Sequence, residues 1–166
     1  MWPGFIPASP RNGPKSKAIS SWFQLSWHDP TFFSGVLFAA VSHQRLHYLR
    51  KGETGDIFRS QDKKMLIFFE LESIQRVNEA IQNPSRALSD EVILSVMILV
   101  HNRVDELMLD ENLRSPFQSP LRGLQWLDIY GRPMPNPVHL SGLIQLIKMR
   151  GGLEQIKLPG LAPILS

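Results

Sequence analysis

The 166-residue chain contains no cysteine. That absence excludes disulfide staples, cysteine-ligated zinc, iron–sulfur ligation and a thiol nucleophile together. Long apolar runs are also missing. The longest, near 35–41 and 96–100, fall well short of the roughly 20 residues that a membrane-spanning helix requires. The N-terminal MWPGFIPASPRNGPKSK has no continuous apolar stretch and carries no visible secretory signal. Asn83-Pro84-Ser85 has the outline of a glycosylation triplet, but its middle proline disqualifies it. Charge of one sign is scarce: 18 Lys and Arg face 15 Asp and Glu, for a net charge of +3. The basic residues are scattered as Arg45, Arg50 and Lys51, then Lys63 and Lys64, then Lys148 and Arg150. This reads as solvated helix faces and helix ends, not as a polyanion site. No glycine-rich phosphate loop, nucleophile elbow or HExxH pattern occurs. The expectation is an intracellular chain that has no membrane segment, needs no cofactor and binds no nucleic acid by itself.

What is present is helical patterning on a chain long enough for one domain, with 43% hydrophobic residues to fill a core. Residues 1–20, rich in Pro, Gly, Ser and basic side chains, read as a flexible tail, and 21–166 as one helical domain. Trp22, Phe23, Leu25 and Trp27 form an aromatic segment expected to dock on the body. Asp29-Pro30 pairs a capping carboxylate with a proline suited to the first helical position. Phe33, Val36, Leu37 and Ala40 follow at helical spacing, and Gly52 marks the end. A second helix is predicted from about 60 to 82, with Ile67, Leu71, Ile74, Val77 and Ile81 on one stripe, stopped by Asn83-Pro84.

Ser89 caps a third helix, with Asp90 and Glu91 in its first turn, where the helix dipole favours anions. Ile93, Met97, Val100, Val104 and Leu107 make its stripe. Further apolar residues render it hydrophobic nearly all round, which predicts a central position. Residues 111–136 are rich in breakers, with a short helix possible at 121–130. Asn136-Pro137 opens a fourth helix with Leu140, Leu143, Ile144 and Ile147 inward, closed by Gly151-Gly152. One further turn is expected at 153–157 and another apolar helix from 158. No segment alternates with the period of a strand. The fold class is therefore all-α, an irregular bundle of about four main helices.

Chemistry-bearing patterns are weak. His43 and His47 lie four apart and share a helix face, a spacing that binds metal when a third ligand converges. None is offered nearby, so the pair reads as ordinary, partly buried histidines. Asp105 with Glu106 and Asp110 with Glu111 are adjacent and diverge, unlike carboxylates facing across a cleft. Trp22, Trp27 and Trp126, with Phe32-Phe33 and Phe68-Phe69, would stack on bases only beside a basic groove, which is not visible. No catalytic, cofactor-binding or metal residue is assigned.

Three blocks, taken in order, carry a resemblance. They are SWHDPTFFSGVLFAAVSHQRLHYLRKGE at 26–53, ESIQRVNEAIQNPSRALSDEVILSVMILV at 72–100 and HLSGLIQLIKMRGGLEQIKLPGLAPIL at 139–165. Together they resemble the fungal-specific transcription factor domain, the helical regulatory region of fungal zinc binuclear cluster regulators. Asp29, Pro30 and Phe33 match its D-P-x-x-F helix. Asn83, Pro84, Ser89 and Asp90 match its break and following helix. His139, Gly142, Leu143, Arg150, Gly151, Gly152 and Leu153 match its H-x-x-G-L helix ending in R-G-G-L.

The resemblance implies a non-catalytic regulatory and protein-interaction module, with residence in the nucleus. It departs from the family in two respects: it has no thiolates for the zinc cluster, and it stops just as a further apolar segment begins. The domain is accordingly expected to be incomplete at its C-terminus and to lack its own DNA-binding element. Partners, or a second copy, are expected on exposed apolar helix faces. The matched residues also have plain structural roles, with Gly142 read as a site of close helix packing. Two alternatives remain open: a truncated relative with no independent function, and a small helical enzyme or metal binder using His43 and His47.

Overall fold

The computed structural model describes residues 14–51, 56–102 and 135–166. Its elements are α1 (Pro14–His28), α2 (Pro30–Lys51), α3 (Asp56–Gln82), α4 (Asp90–His101), α5 (Pro137–Arg150), a 3-10 turn η1 (Leu153–Gln155) and α6 (Leu161–Leu165). The described residues are 82% helical and contain no strand, so the chain is all-α. Among the described residues there are six α-helices, where about four main helices were expected. One of them, α1, begins at Pro14, so residues 14–20 are helical rather than part of a tail, and Ala18 is already buried. The short helix expected at 121–130, Gly52, Val104 and Leu107 lie outside the described residues.

Local chemistry explains the helix boundaries. Asp29 Oδ1 accepts from the amide of Phe32 at 2.8 Å and starts α2, with Pro30 in the first position. Asn83 stops α3, its Oδ1 taking the Ser85 amide at 3.1 Å and the Ser85 hydroxyl at 2.7 Å. Ser89 Oγ receives the Val92 amide to cap α4. Asn136 Oδ1 receives the Val138 and His139 amides to cap α5. At the end of α5, Gly151 adopts φ +102°. Its amide bonds to Lys148 O at 3.1 Å, and the Gly152 amide bonds to Ile147 O at 3.0 Å, the paired closure of a left-handed glycine terminus.

The core forms around α4. Every residue from 92 to 100 is buried, because α4 packs on α2, α3 and α5 at once. A helix that is apolar all round has no alternative to a central place.

The faces of α2 and α3 differ from the expected stripes. On α2 the buried line is Thr31, Phe32, Gly35, Phe38, Ala39 and Ser42, while Phe33 and Ala40 are exposed. Arg45, expected on a solvated face, is buried. On α3 the buried line is Leu66, Ser73, Val77 and Ala80, with Phe69 and Ile74 partly buried; Ile67, Leu71 and Ile81 are exposed. The helices α2 and α3 pack against one another along their length. Ser42 and Ser73 tolerate burial because each hydroxyl donates to its own helix, to Phe38 O at 2.8 Å and Phe69 O at 2.7 Å. On α5, Leu143 and Leu146 are buried, Leu140 and Ile147 pack at the edge, and Ile144 faces outward.

Candidate functional site

Two ionic joints involve three of the residues that carry the three-block pattern, Asp29, Asp90 and Arg150. The first links the start of α2 to the α3–α4 turn. Asp29, already capping α2 with Oδ1, turns Oδ2 to Arg86 Nη2, and the same nitrogen reaches Thr31 Oγ1 at 3.4 Å. The carboxylate is largely sheltered, whereas the guanidinium is about one-third exposed. The aspartate thus satisfies an orphan helix amide and binds a cation 57 residues away.

The second joint is deeper. Asp90 opens α4, and Arg150 closes α5. Arg150 Nη2 lies 2.7 Å from Asp90 Oδ1, with the side chains only 16% and 11% exposed. Arg150 also donates through Nη1 to Leu88 O and through Nε to Gln155 O at 3.1 Å. Asp90 Oδ2 accepts from the amides of Lys157 and Leu158 at 2.9 and 2.8 Å. Oδ1 itself receives no hydrogen bond of good geometry, so its contact with Arg150 is an off-axis charge contact. This pair fixes the chain after Gly151 onto the N-terminus of α4.

The other matched residues are spread around these joints. Pro30 and Pro84 are exposed, Asn83 shapes the turn, Ser89 caps α4, and Leu143 lies in the core. Phe33 remains exposed and Leu153 half-buried. His139, at the start of α5, is half-buried. Burial lowers its pKa below the ordinary 6.5, with Glu70 opposing the shift. At Gly142, read as a site of close packing, a Cβ would meet nothing within 4 Å among the described residues.

Three residues outside the pattern matter as much as those within it: Arg86, Trp22 and Leu161. Docking of Trp22 on the body was expected, but its partner, like that of Arg86, lies too far away in sequence for a local signal to name it. Trp22 is buried and its indole Nε1 donates to Pro159 O at 2.9 Å, across 137 positions. Leu161 is fully buried.

Large apolar side chains remain uncovered elsewhere. Trp27 is 73% exposed and stands edge-on to Phe23; on α3, Phe68 is 61% and Leu71 60% exposed; on α5, Val138 and Met149 are exposed. A shallow depression between the start of α2 and the end of α3 is lined by Thr31, Arg76, Glu79 and Arg86. Both arginines there already face carboxylates, Arg76 reaching Glu72 at 2.6 Å and Arg86 reaching Asp29.

His43 is half-buried on α2, whereas the side chain of His47 lies outside the described residues. Among the described residues, no group of three or more His, Asp or Glu could hold a metal ion. Asp105, Glu106, Asp110, Glu111 and Trp126 also lie outside them. No helix among the described residues is long and apolar enough to cross a membrane. No family model matches the chain, and no curated protein or solved structure does so either.

Proposed function

We propose that this chain is a non-catalytic regulatory and protein-interaction module of the fungal-specific transcription factor type, without a DNA-binding element of its own. The supporting observation is the assembly of the three blocks. Asp29 of the first block pairs with Arg86 of the second, and Asp90 of the second pairs with Arg150 of the third. Three of the residues on which the resemblance rests, Asp29, Asp90 and Arg150, thus act as joints between helices. The uncovered apolar side chains on α1, α3 and α5 supply contact surface for a protein partner. Nuclear residence belongs to the same proposal.

The test is a tethering assay. The full chain fused to an unrelated DNA-binding domain should change expression of a reporter in a fungal cell. The same fusion carrying Phe68→Ser and Leu71→Ser should lose the effect at equal abundance. The purified chain should not retard DNA in a band shift at moderate salt. A silent fusion, or a salt-sensitive shift by the chain alone, overturns the proposal.

A further inference from the structure

A cleft between α1 and the start of α4 is filled by the segment that follows α5 and η1. Its walls are Ala18 and Trp22 of α1 and the first turn of α4 around Asp90. Into it runs the pentapeptide Lys157, Leu158, Pro159, Gly160, Leu161. Asp90 Oδ2 takes the first two amides at 2.9 and 2.8 Å, and the Trp22 indole donates to the Pro159 carbonyl at 2.9 Å. Gly160 has φ +81° and sits so close to α1 that a Cβ would come within 2.8 Å of Ala18 Cβ. Leu161 then enters a pocket that leaves it no exposure.

These are the parts of a peptide-recognition site. Three backbone groups are read by two side chains. One position admits only glycine, and the next is selected for an apolar side chain. The segment is joined to the body by Gly151 and Gly152, both at positive φ, +102° and +103°. Opening there gives up the Gly151–Lys148 and Gly152–Ile147 hydrogen bonds, but glycine adopts other backbone conformations without steric penalty, so the junction can act as a hinge.

We propose that this cleft is a recognition site for the Lys-Leu-Pro-Gly-Leu segment, filled in cis by the single chain and in trans by the segment of a second copy. Reciprocal exchange keeps the hydrogen bonds made by Asp90 and Trp22 and changes only the glycine hinge. The closed and exchanged forms therefore differ mainly in the hinge hydrogen bonds, chain entropy and concentration. Two copies related by a two-fold axis satisfy both clefts and leave no open end. The inference does not depend on a role in transcription; it names a self-associating partner and the residues that read it.

The test uses two full-length variants. Asp90→Ala damages the cleft and keeps the segment. Leu161→Asp damages the segment and keeps the cleft. Each alone should scatter light as a monomer, and an equimolar mixture should yield a heterodimer with one repaired joint. In that mixture, hydrogen exchange at the Lys157 and Leu158 amides should slow about tenfold in the Asp90→Ala chain only.

A mixture that stays monomeric, with both chains helical by circular dichroism and no protection gained, overturns the proposal. Should either variant fail to fold, the wild-type chain still decides. Refolded from urea at high concentration, it should contain a dimer that persists on dilution; a single monomer mass at every concentration overturns the proposal.

Discussion

Replacing Arg150 with alanine tests the central joint most directly. The substitution removes donors to Leu88 O and Gln155 O and the positive charge beside Asp90 Oδ1. The Asp90 carboxylate would keep the amides of Lys157 and Leu158 and the favourable end of the α4 dipole, but no counter-charge. Breaking a fully buried pair from one side costs about 3–5 kcal/mol. The remaining exposure and the two surviving amide bonds bring the expectation to about 2–3 kcal/mol, a large part of a domain's stability.

Urea unfolding followed by far-ultraviolet circular dichroism reads this as a lower midpoint at unchanged slope. Asp90→Ala should cost about as much, because it strands the guanidinium and frees two amides. The double variant should cost less than the sum of the singles by about 1–2 kcal/mol, the signature of a direct interaction. A loss below about 0.5 kcal/mol for Arg150→Ala, the level of a surface pair, would refute the reasoning, as would strict additivity.

Gly160→Ala forces both a left-handed backbone and a clash with Ala18. It should therefore cost about 2 kcal/mol or more and raise hydrogen exchange first at Lys157 and Leu158; protection equal to wild type would contradict the close approach. Gly142→Ala adds a Cβ into open space within α5 and should stabilise the protein by about 0.5–1 kcal/mol, whereas a loss in thermal melting would mean the site is packed after all.

His139 makes stability depend on pH. Burial holds its folded pKa below 6.5, so the unfolded chain binds more protons as pH falls through 6.5, and folding is weakened. The melting temperature should fall from pH ~7.5 to pH ~5.5, and His139→Gln should flatten that slope in part. His101 shifts in the same direction through desolvation and adds to the same slope. A melting temperature that rises on acidification would contradict the sign.

The helix ends were legible because their causes are local. Asp29, Ser89, Asn136 and Gly151 each act on groups within five positions, so the residue type announces the structure. The central place of α4 was legible as well, since an all-apolar helix has one environment that suits it. The inward faces of α2 and α3 were not. Apolar content favoured Phe33, Ile67 and Leu71, whereas close packing selected Phe32, Ser42, Ser73 and Ala80. A serine that bonds to its own helix is small and satisfied, a property that a hydrophobicity pattern does not register.

The sequence by itself determined the all-α class, most helix ends and the pattern of motif residues along the chain, because these follow from backbone sterics, capping and local periodicity. Tertiary structure alone decided which charges meet. Arg86 and Arg150 look like ordinary basic residues until folding brings them to Asp29 and Asp90, 57 and 60 positions away. It also decided that the Trp22 indole would meet the Pro159 carbonyl and that Leu161 would be fully buried. Such pairings depend on how helices cross and which faces touch, and that geometry arises only when the whole core packs at once.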